Sequence, residues 1–99
     1  MSQPMNPPPP TELRAQARYA VALPITLEGE EGQTLDLSAQ GILFESSVQP
    51  AVGTHVCLAI RYQVGDTPLS IDCDGEVVRV ERRGSACNIA VRLRRPLYR

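Results

Sequence analysis

From Val21 onward the apolar residues fall on every second position, at Val21, Leu23, Ile25 and Leu27. That is the period of a strand with one buried face. Glu28, Gly29, Glu30, Glu31 and Gly32 interrupt the alternation and read as a turn. A second strand follows through Leu35 and Leu37, the pattern breaks at Gly41, and a third strand continues through Ile42, Leu43 and Phe44. Pro50 and Gly53 mark a loop before a fourth strand through Val56, Leu58, Ile60 and Tyr62. Gly65, Asp66, Thr67 and Pro68 supply the turn that ends it. The fifth strand is long. Its apolar positions are odd at Leu69, Ile71 and Cys73 but even at Val78 and Val80, so a β-bulge is expected near Gly75. Arg83, Gly84 and Ser85 turn the chain again, and Cys87, Ile89, Val91 and Leu93 form a sixth strand. The pattern predicts an all-β fold, a six-stranded antiparallel barrel with short connections and no long C-terminal helix. Closing the sheet hides its edges.

Ninety-nine residues suit one domain with a modest core. Residues 1–12 hold five prolines and no apolar periodicity and are expected to be a disordered arm. Residues 13–95 are expected to form the barrel domain, with 96–99 a tail. The first ten residues have neither a basic start nor an apolar run, so they do not resemble a secretion signal, and a cytoplasmic protein is expected. Cys57, Cys73 and Cys87 are odd in number and lack CxxC spacing, which argues against a disulfide framework or a zinc site. They read as small apolar residues on strands. His55, the single histidine, stands at a strand start with no Cys, Asp or Glu cluster nearby in sequence and reads as a surface residue. No metal or cofactor is expected, and the GxSxG, HExxH and Walker-type patterns of common enzymes do not occur.

Two short motifs carry more information together than apart. Arg14 and Arg18 stand in RxxxR spacing just before the first strand, and Asp36, Ser38 and Gly41 make DxSxxG at the end of the second. RxxxR alone is weak, since Arg79 with Arg83 and Arg95 with Arg99 match it too. DxSxxG is selective, with roughly 0.016 chance occurrences in a chain of this composition. In this order and placement the two motifs resemble those of the PilZ domain family. The likeness runs from Arg14 to about Leu93 and includes the loop PAVGTHVCLAI and the closing NIAVRL. Most of that family is known for binding cyclic di-GMP, and the resemblance implies that ligand, with Arg14, Arg18, Asp36, Ser38 and Gly41 as its site.

The residue types suit such a ligand on chemical grounds. Each guanine offers O6 and N7 acceptors that an arginine fork can engage with two parallel hydrogen bonds, and each phosphate carries a negative charge. Arginine also stacks on a base face. Asp36 can accept from the N1 and N2 edge of a guanine. Asp36 and Ser38, two apart, would share one strand face, and Gly41 would let the backbone turn tightly beside the ligand. Tyr19 is expected to add contact near Arg18. Leu13 stands where many members of the family carry a further arginine and take up a stacked ligand pair, so one ligand per chain is expected. Several members continue into a C-terminal helix, whereas this sequence stops at Arg99, so a bare barrel flank is expected.

Charge adds one rival. Arg79 to Arg99 hold seven arginines and one acid, while the preceding residues hold three arginines and ten acids. A basic flank on a small barrel suggests single-stranded nucleic acid, yet Tyr98 is the only aromatic residue there, and a stacking platform is missing. A solvated basic flank is the better reading. The expected function is therefore a non-enzymatic cyclic di-GMP receptor that signals to a downstream protein. A ligand-independent adaptor is the alternative.

Overall fold

The structure, a computed structural model, describes residues 18–97. The expected arm of residues 1–12, Leu13 and Arg14 lie outside that range. Six strands follow in chain order: β1 (Pro24–Leu27), β2 (Glu30–Leu37), β3 (Gly41–Ser46), β4 (His55–Val64), β5 (Thr67–Arg83) and β6 (Ala86–Leu93). All pairings are antiparallel, and the order β1-β2-β3-β6-β5-β4 closes on itself through β1 and β4. The all-β barrel predicted from the period-two alternation is the fold observed, with no helix among the described residues.

Inward positions supply the core. Ile25, Phe44, Val77 and Ile89 are each 0 % exposed, and Leu58, Ile60 and Val91 close the interior around them. Each strand thereby buries one face, which is the main driving term for a sheet this small.

The hairpin between β1 and β2 is tighter than the five-residue turn expected from sequence. Only Glu28 and Gly29 form it, with φ of 53° and 82°, the backbone of a two-residue turn whose twist matches the strands it joins. Glu30, Glu31 and Gly32 instead belong to β2, paired with Leu27, Thr26 and Ile25. Gly32 is required there because a Cβ would overlap the Glu45 carbonyl of β3.

Two bulges correct the expected inward sets. In β2, Thr34 pairs with Phe44 and Asp36 with Leu43, leaving Leu35 as the extra residue and turning it outward. Thr34 takes the interior position instead, fully buried. Its hydroxyl donates to the Val21 carbonyl and accepts from the Leu23 amide, so the polar group is satisfied where it sits. In β5 the bulge falls at Val78 rather than near Gly75, since Val77 pairs with Val91 and Arg79 with Ala90. Val77 is therefore core and Val78 is exposed, the reverse of the parity inferred for Val78. Leu69, expected inward, is exposed near the turn of the β4–β5 hairpin. Gly75 has a different role: it pairs with Val56 on one side and Leu93 on the other, where β5 passes from β4 to β6.

The three cysteines are free and sit on strands, but unequally. Cys87 is buried, Cys73 half-buried and Cys57 exposed, so the small apolar reading fails for Cys57. Burial, followed by the neighbouring Asp74 and Asp72 charges, pushes the Cys73 thiol from 9.0 up to about 11. At pH 8 only about one Cys73 in a thousand is then thiolate. Iodoacetamide at that pH should modify Cys57 well before Cys73, as read by mass spectrometry of the digested protein. Equal rates would mean that the β4–β5 pairing does not shelter Cys73. Because the folded state favours the neutral thiol, this contribution to stability is complete below about pH 9 and is lost as pH rises through about 11.

Candidate ligand-binding site

The segment before β1 is stitched to β2. Thr34 holds Val21 and Leu23, and Tyr19 exchanges backbone hydrogen bonds with Leu37 at 2.7 and 2.9 Å. This short antiparallel bridge fixes the register of the residue ahead of it. Arg18 reaches Asp36 with Nη1 3.2 Å from Oδ2. Alternation sends Tyr19 the other way, and its side chain lines a separate apolar groove instead of flanking Arg18 at the site.

Arg18, Asp36, Ser38 and Gly41 line one surface hollow of about 340 Å³. Asp36 ends β2 with Leu37. Ser38 lies just past the strand, contrary to the expectation that both occupy it, in a turn closed by the Ser38 amide donating to the Gly41 carbonyl at 2.9 Å. The Ser38 hydroxyl reaches the same carbonyl at 3.3 Å, which holds it at the rim. Gly41 is needed for proximity more than for turning, because its φ is not in the left-handed region. A Cβ there would stand 3.3 Å from the Val91 carbonyl and 3.7 Å from Ser38 Oγ, narrowing the hollow.

The ion pair itself does little for the fold. The Arg18 side chain is 69 % exposed, and exposed pairs contribute ~0–1 kcal/mol. A guanidinium and a carboxylate held loosely at 3.2 Å can instead be re-paired with an incoming ligand at small cost.

A model of the PilZ domain family matches residues 12–97 of the sequence. The chain belongs to that family. The solved structure titled as the Bacillus subtilis inhibitor of motility, MotI/DgrA, is similar to it with a TM-score of 0.69 at 18 % identity. That match covers 91 % of this chain and 48 % of the other, so the likeness is one of fold and spans about half of the neighbour's length. No curated protein matches the sequence.

The PilZ barrel also brings to the hollow residues that motif reading passed over. Register runs a single row across the outer face: Asp36 pairs with Leu43, Leu43 with Ala90, and Ala90 with Arg79. Three interstrand steps of ~4.8 Å place Arg79 about 14 Å from Asp36 along this row. Leu43 and the small Ala90 form an apolar floor between the acid and the cation. Arg79 makes no ion pair among the described residues, whereas Arg92, also on the rim, is held 3.0 Å from Glu76. The bulge at Val78 is what turns Arg79 into this row. A cue existed in the parity change of β5, but sequence alone does not say which residue is the extra one.

Outside the hollow, His55 has partners that its sequence neighbourhood did not suggest. Its Nε2 lies 2.9 Å from Asp74 Oδ2, which Arg94 also approaches at 3.3 Å. No group of three potential metal ligands occurs among the described residues. Arg83, Arg92 and Arg94 each face an acid, which dilutes the basic flank as a nucleic-acid surface.

Proposed function

We propose that this PilZ domain is a receptor for cyclic di-GMP that acts by contact and catalyses no reaction. The observation carrying the reading is the convergence of Arg18, Asp36, Ser38 and Gly41, residues 18 to 41 of two sequence motifs, on one hollow. In this reading Asp36 accepts from the N1 and N2 groups of a guanine. Arg18 leaves its loose pair with Asp36 to bond the O6 and N7 edge or to stack on the base. Arg14, four residues upstream, supplies the second fork. Ser38 and the Gly41 backbone allow close approach, and Arg79 and Arg92 add positive charge where the phosphates would lie.

Ligand orders the N-terminal arginine loop on the barrel, at a cost of ~2–5 kcal/mol that the charged contacts must exceed. The resulting surface of arm, nucleotide and barrel is the output read by a downstream protein. A hollow of about 340 Å³ suits one ligand molecule per chain, in keeping with Leu13 in place of a further arginine. Residues 13–95 form the receiving unit, and the setting is a cytoplasmic pathway of the motility, biofilm or pilus type. An inhibitor of motility shares the fold.

Calorimetric titration tests the proposal. Cyclic di-GMP should bind saturably with a stoichiometry near one, while GMP and cyclic AMP give little heat. Equal heats for all three would reduce the interaction to nonspecific charge. Single-stranded nucleic acid should bind weakly, with affinity that collapses as salt rises.

A further inference from the structure

A second concavity, about 520 Å³, opens on the other side of the residue 18–23 segment. Tyr19, Val21, Leu23, Tyr62, Ile71 and Leu97 line most of it, and no charged side chain contributes to it. Tyr19 is 53 % and Val21 37 % exposed, so nothing among the described residues covers this apolar face. We infer that the groove is the docking site of the chain's own proline run, Pro7–Pro10.

Three observations select that occupant. The described chain begins at Arg18, one residue before the groove-lining Tyr19, so the proline run is tethered close to the groove in sequence. Residues 1–11 carry no charged side chain and five prolines, four of them consecutive at Pro7–Pro10, an uncharged run that matches a groove without charged lining. Proline runs favour a preformed extended helix, and grooves lined by aromatic rings bind such helices with little loss of entropy. Tyr19 and Tyr62 provide two rings here.

Reach and concentration agree. Eight residues, 11–18, separate Pro10 from Tyr19, enough for about 26 Å when extended. A tether of that length gives an effective concentration on the order of millimolar. A contact too weak to join separate molecules is then well populated within one chain. The assignment does not depend on what the arginine and aspartate hollow binds.

The test uses the full chain and a full-length variant with Pro7→Ser, Pro8→Ser, Pro9→Ser and Pro10→Ser, compared by NMR. Wild type should show contacts between proline δ protons and the Tyr62 ring, and the variant should lose them. The methyl signals of Val21, Ile71 and Leu97 should shift in the variant and return toward wild type when a peptide of residues 1–12 is added at millimolar concentration. Identical groove signals in the two proteins would overturn the inference. So would groove contacts that vanish on tenfold dilution along with a dimer in sedimentation, because the occupant would then be a second copy.

Discussion

Replacing Arg18 by alanine should weaken cyclic di-GMP binding by about 10- to 150-fold while leaving the barrel folded. The magnitude follows from losing one charge-assisted hydrogen bond of ~1.5–3 kcal/mol, with more if the fork is bidentate. The lack of a folding penalty follows from exposure, since the Arg18 side chain is 69 % accessible and its pair with Asp36 lies at the surface. Calorimetry should report the loss of affinity, and thermal unfolding without ligand should be nearly unchanged. Lysine at the same position keeps the charge but loses the planar fork, so Arg18→Lys should recover only part of the affinity. Full-strength binding by the alanine variant would remove Arg18 from the site and leave the hollow without its principal cation.

The largest loss of stability is expected at Phe44. Its ring is fully buried among Ile25, Ile60 and Ile89, and Phe44→Ala removes apolar contact while leaving a cavity that a closed barrel cannot readily collapse. Such truncations cost ~3–5 kcal/mol, against a total of ~5–15 kcal/mol for a typical domain. Urea unfolding should show the midpoint falling by about a fifth or more, and Phe44→Leu should fall less. A change below about 1 kcal/mol would mean that the ring does not pack in the interior.

Most of the architecture was legible because strands with one buried face announce themselves by alternation. Ile25 with Leu27, Val56 through Ile60, and Cys87 through Leu93 follow from that ground alone. The failures cluster where alternation is broken. A bulge flips parity, and the sequence records that a flip has occurred without marking the extra residue, so Val78 was assigned inward and Val77 overlooked. In the second strand the apolar pattern marks Leu35 and Leu37, and nothing in hydropathy points to Thr34 as an interior residue. Two backbone groups at Val21 and Leu23 make the buried hydroxyl acceptable.

The hollow was legible to the extent that its residues are close in sequence. Asp36, Ser38 and Gly41 lie within six residues of one another, and motif order links Arg18 to them. Arg79 was not, because it reaches Asp36 only through two intervening strands, β3 and β6, whose adjacency is a property of the closed sheet. For the same reason Asp74 could not be paired with His55 before the β4–β5 register was known.

The seam that closes the barrel is its shortest, three residue pairs between β1 and β4. A four-residue strand with so few partners is the natural place for sub-global opening, which needs far less free energy than unraveling the whole domain. Arg18 lies only six positions ahead of Pro24, the first residue of that strand. Hydrogen exchange at Ile25 and Leu27 would therefore run ahead of exchange at Ile89 and Val91, and a ligand gripping Arg18 would slow it. Such a coupling makes the latch of the barrel a sensor of occupancy.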